Sequence, residues 1–144
     1  MKYSNNKFIK VIPQKIVKNK KGDIIRALRL SSLKKNNFKF REAYFTKIKY
    51  KNIKGWKLHK KMTLNLFVAF GAVKFVFFSE KKNFLKEIIS TDKNCLRINV
   101  PPKTWVAFKG IKKPSSIILN ITDLVHSKRE VISVPLEQIK YNWK

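Results

Sequence analysis

Short apolar segments alternate with turn residues along most of the chain. The segments are rich in β-branched and aromatic residues, and several alternate apolar with polar positions, a period of two that is typical of strands. Proline, glycine, asparagine and aspartate separate the later segments, as in Pro101-Pro102 and Lys109-Gly110. The pattern predicts strands over 23–30, 38–50, from Gly55, 63–70, 72–78, 84–91, 96–100, 104–108 and 116–122. Many short strands at this spacing predict an all-β sandwich or barrel in one domain over 1–144.

Strand alternation also predicts which side chains share a face. In 38–50 one face carries Tyr44 and Thr46, and the opposite face carries Phe45. The runs on either side of Gly71 predict a hairpin. Only 31–39 and 135–140 are compatible with a helical turn, and we expect residues 1–6 to be disordered.

A polar segment precedes the most apolar part of the chain. It reads Gly55-Trp-Lys-Leu-His-Lys-Lys-Met62, and His59 within it is one of only two histidines. Imidazole titrates near neutral pH without any perturbation, which suits a general base. Alternation along the strand places Lys57 on the same face as His59 and then also selects Lys61, Thr63 and Asn65. The segment therefore predicts a ligand pocket at the mouth of an apolar β-structure.

The chain is strongly basic, and this charge adds anionic molecules to its possible partners. Lys and Arg number 34 against 8 Asp and Glu, a net charge of +26, which suggests a polyanion such as nucleic acid. Only five of the basic residues are Arg, the side chain best suited to bidentate phosphate and guanine recognition. Lys, Asn and Ile are all abundant, as in proteins from AT-rich genomes, and most Phe lie in apolar runs. Codon bias or an anionic substrate therefore explains the charge better than nucleic-acid binding.

The sequence does not support a disulfide-bonded, secreted, membrane-spanning or zinc-binding protein, or one with a glycine-rich phosphate loop. Cys95 is the only cysteine, so no disulfide forms within the chain, and a reducing cytoplasmic location is expected. The N-terminal residues predict no signal peptide, and the run 64–78 is too interrupted for a membrane span. No cluster has structural-zinc spacing and no glycine-rich phosphate loop is present, so no metal site is predicted.

Three motifs in order resemble one family. Gly55-Trp-Lys-Leu-His-Lys-Lys-Met62, Gly71 between two apolar runs, and Val100-Pro-Pro-Lys-Thr-Trp-Val-Ala-Phe108 are similar to segments of the RmlC-like cupins. These are the dTDP-4-dehydrorhamnose 3,5-epimerases and the related dTDP-sugar 3,4-ketoisomerases. The closing Ile-Lys-Tyr-Asn-Trp143 resembles the terminal segment of the epimerases, and the resemblance spans about residues 14–143.

The resemblance implies a cupin-type jelly-roll β-barrel that acts on a nucleotide-linked 4-keto sugar, forms a homodimer and uses no cofactor. It implies that His59 removes the proton alpha to the keto group, with Glu137 as the acid that orients it. Lys57 would stabilise the enolate or a phosphate. Tyr44 and Thr46 lie where the family places sugar-contacting groups, and they would contact the substrate together with the Lys61, Thr63 and Asn65 selected above. Trp105 follows the Pro101-Pro102 turn at the mouth of the barrel and is a candidate stacking platform for the substrate.

The match is incomplete at the position of the proton donor. The epimerases have an acidic tyrosine where this chain has Leu119 and Asn120, and the second motif has Val106 in place of histidine. A single epimerisation, a keto shift, or binding of a sugar nucleotide without catalysis therefore all stay open. A basic β-barrel that binds nucleic acid is the remaining alternative.

Overall fold

A computed structural model describes residues 7–33 and 38–144. Its strands, all paired antiparallel, are β1 (Lys10–Pro13), β2 (Ile16–Val17), β3 (Ile24–Ile25), β4 (Glu42–Lys49), β5 (Ile53–His59), β6 (Leu64–Phe70), β7 (Ala72–Ser79), β8 (Phe84–Thr91), β9 (Leu96–Val100), β10 (Trp105–Gly110), β11 (Ser115–Thr122) and β12 (Val131–Ser133). Single 3-10 turns cover Leu30–Ser32 and Leu136–Gln138. The prediction of an all-β jelly-roll is confirmed.

Ten of the strands form two five-stranded sheets. The first sheet has the order β1-β9-β6-β11-β4 and the second has the order β12-β5-β10-β7-β8, while β2 and β3 pair only with each other. The inner faces of the two sheets share one apolar core, to which the first sheet contributes Leu66 and Ile98 and the second contributes Phe75 and Phe77. Burying each such side chain contributes about 1.5–3 kcal/mol to stability, so this layer holds the sheets together.

The hairpin predicted at Gly71 is wrong, because β6 and β7 belong to different sheets. Gly71 has a φ of 86°, and its N–H donates to Asp92 Oδ2 at 2.8 Å. A Cβ at this position would lie 2.3 Å from Ser116 Oγ, so only glycine fits the crossing. Since both strands are apolar, their composition could not distinguish pairing from crossing.

The strand predicted over 23–30 is much shorter, with only Ile24–Ile25 paired to Ile16–Val17. Residues 1–6 and part of the predicted turn at 31–39 lie outside the described residues. The helical turn predicted within 135–140 is confirmed at Leu136–Gln138. In β4 the predicted faces are correct, because Tyr44 and Thr46 are half-buried whereas Phe45 is exposed.

Candidate active site

A cavity of about 470 Å³ opens between the two sheets. Both sheets contribute apolar side chains to its wall, while the first sheet adds hydroxyl and amide groups and the second adds imidazole and ammonium groups. This combination is typical of a small-molecule site, in which apolar walls exclude water and a few polar groups fix the ligand. The lining residues are Tyr44, Thr46, Ile53, Lys54, Gly55, Lys57, His59, Leu64, Leu66, Val106, Phe108, Ile118 and Asn120.

A β-bulge in β5 shapes one wall of the cavity. Lys57 pairs with Val106 and Lys54 with Phe108, so two residues of β5, Gly55 and Trp56, lie opposite the single residue between those partners on β10. The extra residue shifts the alternation, and as a result Lys54 lines the cavity together with Lys57. Strict alternation from His59 excludes Lys54, which is why the sequence did not indicate it.

Trp56, which lies in the bulge, faces away from the cavity. Trp56 is fully buried in a second apolar cluster on the outer face of the second sheet, beneath the C-terminal segment that carries Tyr141 and Trp143. A Cβ on Gly55 would lie 2.2 Å from the Cβ of Ala107, so glycine is required where the two strands approach. The bulge at Gly55-Trp56 therefore brings both Lys54 and Lys57 to the cavity wall.

His59 is the last residue of β5 and is only 8% exposed. Its carbonyl accepts a hydrogen bond from Lys103 N at 2.7 Å, and it pairs with Val131 of β12. Burial lowers the pKa of His59 below its usual value, against the opposing effect of Glu130. The imidazole is therefore neutral at pH 7, the state that a general base needs.

Glu130 lies behind His59 and was missed in the sequence. Its Oε1 is 3.6 Å from His59 Nδ1, just beyond direct hydrogen-bond length. The carboxylate accepts hydrogen bonds from the backbone N–H groups of Lys61 at 3.1 Å and Met62 at 3.0 Å, which fix it in place. With Nδ1 directed at this carboxylate, Nε2 is the nitrogen left for a ligand. One weak signal existed, since Glu130 directly precedes a β-branched pair, Val131-Ile132.

Tyr44 and Asn120 face each other across β4 and β11 on the cavity wall. The two residues are register partners, and Asn120 Nδ2 donates a hydrogen bond to Tyr44 Oη at 2.8 Å. Burial raises the pKa of Tyr44, although the bond from Asn120 partly offsets this. Tyr44 is therefore protonated at neutral pH, and its hydroxyl proton is free to be donated. Thr46 follows on the same face.

Three residues selected by alternation from His59 do not reach the cavity. The strand ends at His59, and the chain turns before β6 begins in the other sheet, so the alternation does not continue. Lys61 is exposed, and the backbone N–H of Thr63 donates to Asp123 Oδ1 at 2.7 Å. Asn65 is fully buried, but on the opposite face of β6 from the lining residues Leu64 and Leu66.

Trp105 and Glu137 are also placed elsewhere. Trp105 pairs with Leu58 and packs in the outer cluster with Trp56, where it lines a separate cavity of about 420 Å³. Glu137 is exposed in the 3-10 turn Leu136–Gln138. The acid beside His59 is therefore Glu130 rather than the predicted Glu137.

The described residues contain no group of three or more His, Cys, Asp or Glu that could hold a metal ion. None of the helices in the described ranges is long and apolar enough to cross a membrane. The polar groups that line the cavity can support proton transfer by imidazole and phenol beside two ammonium groups.

Comparison with solved structures identifies the fold. A dTDP sugar isomerase from Desulfovibrio desulfuricans G20 superposes with a TM-score of 0.85 at 23% identity, covering 95% of this chain and 91% of that one. A dTDP-6-deoxy-D-glucose-3,5-epimerase, RmlC, from Legionella pneumophila Philadelphia 1, in complex with dTDP-4-keto-L-rhamnose, gives 0.83 at 12% identity, with coverages of 93% and 76%. The chain has the RmlC-like cupin fold.

A sugar 3,4-ketoisomerase, QdtA, from Thermoanaerobacterium thermosaccharolyticum, in complex with TDP, has the same fold, with a TM-score of 0.73 at 16% identity and 88% coverage of both chains. No protein-family model and no curated protein matches the sequence. The RmlC-like fold predicted from the three motifs is therefore confirmed by structural similarity, at sequence identities between 12% and 23%.

Proposed function

We propose that this RmlC-like cupin is a nucleotide-sugar epimerase or ketoisomerase. Its substrate is a dTDP-4-keto-6-deoxyhexose of the kind used to build deoxysugars of cell-surface polysaccharides such as lipopolysaccharide. The observation that carries the proposal is the neutral, buried His59 on the cavity wall, with the fixed carboxylate of Glu130 3.6 Å behind it. Solved proteins of this fold include both enzyme types.

The first step is proton abstraction from the carbon next to the ketone. His59 Nε2 takes the proton, and the electrons of the C–H bond form the enolate, whose negative charge rests on the former keto oxygen. The resulting imidazolium is stabilised by Glu130, a charge partner that becomes fully effective only once His59 is protonated. The buried setting strengthens this interaction.

The second step returns a proton to the substrate, and Tyr44 is the donor that the cavity offers. Its phenol is kept protonated by burial, and Asn120 Nδ2 donates to its oxygen, which stabilises the phenolate left after donation. Reprotonation of the same carbon from the opposite face gives the epimer. For a keto shift, the enediol passes its hydroxyl proton from one oxygen to the other and the former keto carbon is protonated, which leaves the carbonyl group on the neighbouring carbon. Tyr44 thus substitutes for the acid tyrosine that is absent at 119–120.

Lys54 and Lys57 supply the charge that a nucleotide diphosphate requires. Both lie on the cavity wall, and none of its described lining residues is acidic. Ammonium groups bind phosphate oxygens as point charges, and an enolate in the same cavity would gain from the same field. The cavity is therefore selective for an anionic ligand.

We also infer that the chain acts as a cytoplasmic homodimer. Two phenylalanines of the first sheet, Phe45 of β4 and Phe70 of β6, are 70% and 50% exposed, and more than one large apolar side chain exposed on the same sheet supports association through that sheet. Sedimentation equilibrium would give twice the monomer mass of 17.0 kDa. A monomer at all concentrations would contradict the dimer without affecting the proposed chemistry.

Incubation with a dTDP-4-keto-6-deoxyhexose in heavy water tests the reaction. Proton NMR should show deuterium at a carbon next to the ketone, or a shift of the ketone itself. His59→Asn should slow this exchange by about 10²–10⁴-fold, the usual contribution of a general base. His126→Asn, which changes the exposed second histidine, is the matched control. His126 contributes to lowering the pKa of His59, so this variant should exchange at a rate close to that of the unsubstituted protein and far above that of His59→Asn.

A protein that binds the nucleotide sugar without catalysis would give a different result in this experiment. In that case the nucleotide sugar raises the melting temperature saturably in both variants, and no deuterium enters the sugar. Absence of both exchange and binding would exclude this substrate class altogether.

A further inference from the structure

One charged side chain outside the cavity is buried without a counter-ion. Arg97 of β9 is 6% exposed, yet its only described hydrogen bond is from Nη1 to Asn65 Oδ1, at 3.1 Å. A guanidinium carries five N–H donors and a permanent charge, and such a group is normally buried only with a paired anion. No described carboxylate lies within ion-pair distance of it.

The surroundings of Arg97 are polar and basic. Asn99, two residues along the same strand face, donates from Nδ2 to the same Asn65 Oδ1 at 3.2 Å. Asn65 Nδ2 is in turn directed at Ile121 O, at 3.4 Å, so this amide is held by three contacts. Lys10 of β1 is the register partner of Asn99, and directly paired residues extend from the same face of a sheet.

The remaining guanidinium nitrogens keep a route to solvent. The buried side-chain nitrogens and oxygens that lack a partner are those of Trp56, His59, Ser90, Thr104 and Asn120 among the described residues, and no Arg97 atom is among them. The donors of Arg97 that make no described bond are therefore not fully enclosed. Burial alone lowers the pKa of Arg97, with no contribution from a described acid.

We propose that Arg97, with Asn99 and Lys10, forms an oxyanion-binding site on the outer face of the first sheet, separate from the cavity between the sheets. The ligand class is a small tetrahedral or planar oxyanion, phosphate or carboxylate, because the fork of the guanidinium matches two oxygens of such a group. Asn65 orients the guanidinium through Nη1, and the bound anion neutralises the buried charge. The site does not depend on the proposed sugar chemistry.

Thermal unfolding of the full chain tests the site, with sodium phosphate compared with sodium chloride at equal ionic strength. Arg97→Met removes the charge but keeps an apolar side chain of similar length. Lys81→Met removes one charge from an exposed turn and serves as the control for net charge. Phosphate should raise the melting temperature of the unsubstituted protein and of Lys81→Met saturably, and that of Arg97→Met by much less.

A second expectation concerns chloride alone. There Arg97→Met should melt at the same temperature as the unsubstituted protein or higher, because it removes an uncompensated buried charge. Equal phosphate responses in all three proteins would overturn the proposal. So would an Arg97→Met variant that melts lower in chloride with a dependence on protein concentration, because a carboxylate of a second copy would then be the partner.

An NMR titration tests the same site without depending on the stability of the variants. The arginine Nε–Hε resonance of Arg97 is assigned by its absence in Arg97→Lys, and titration with inorganic phosphate or acetate should shift it saturably. His59→Asn should leave this shift unchanged. A resonance unaffected by either anion would contradict the site, and a response to only one of them would identify the preferred oxyanion.

Discussion

At the scale of single residues, the proposed base can be identified from the sequence, but the groups that control its protonation cannot. His59 is identifiable in the sequence because histidine is rare in the chain. Its protonation, however, depends on burial and on Glu130, which is 71 positions further along and reaches it only because β12 pairs with β5. A contact of this kind between distant segments leaves almost no mark on local sequence.

The effect of Glu130 on His59 gives a prediction for Glu130→Gln. Glu130 raises the pKa of His59, so removing its charge should lower that pKa further, and the acid limb of kcat/KM against pH should move to lower pH. The maximal kcat/KM should fall by about tenfold or more, the effect of losing about 1.4 kcal/mol of imidazolium stabilisation.

Glu137→Gln is the matched control, because the same change is made at an exposed acid in the C-terminal segment. Glu137→Gln should leave both the acid limb of the pH profile and the maximal kcat/KM unchanged. An acid limb that moves to higher pH in Glu130→Gln would show that Glu130 does not act through His59. Equal effects of the two substitutions on the pH profile would show the same.

At the scale of elements, the bulge in β5 determines the polarity of the cavity. Because two residues between Lys54 and Lys57 lie opposite one residue of β10, Lys54 shares a face with Lys57 although the two are three positions apart. Alternation therefore predicted Lys57 correctly as a cavity residue but failed beyond the ends of the strand, where Lys61, Thr63 and Asn65 lie. Period-two reasoning holds within one regular ladder and fails at bulges and turns.

Gly55→Ala tests the bulge. The new Cβ would lie 2.2 Å from Ala107 Cβ and 2.8 Å from its Cα, so one strand must move. We expect the free energy of unfolding, measured with urea, to fall by about 1–3 kcal/mol, as for overpacking elsewhere. Activity should fall as well, because Lys54 and Lys57 are displaced.

The double substitution Gly55→Ala with Ala107→Gly removes the closest contact but not the one to Cα. It should restore part of the lost stability. No recovery in the double variant, or no loss in Gly55→Ala, would contradict the steric account.

At the scale of the whole molecule, the strand content and the order of motifs were enough to predict the fold. The assignment of strands to sheets was not, because β6 and β7 are equally apolar and Gly71 fits a hairpin as well as a crossing. The direction of Trp105 could not be predicted from the sequence either, because an aromatic residue beside a proline turn can face either side of a sheet. Its face was fixed by pairing with Leu58, which no local pattern contains.

The net charge of +26 also acts on the molecule as a whole. Like charges repel in the compact state, and salt screens this repulsion as the Debye length falls from about 30 Å at 0.01 M to about 10 Å at 0.1 M. The melting temperature should therefore rise with sodium chloride over this range, as measured by circular dichroism. A flat or falling dependence would mean that the cations are already neutralised in pairs or by bound anions.

The bulge also bears on how such a site could change over evolutionary time. Deleting one codon at position 55 or 56 would regularise the ladder and leave Lys54 two positions from Lys57, so that both ammonium groups and His59 would keep their places on the cavity face. The bulge could thus be lost, or gained in an ancestor with a regular strand, by a single deletion or insertion that moves none of these three side chains to the other face. The backbone beside the cavity can therefore change in one step while the groups proposed to bind the anion and to move the proton are all retained.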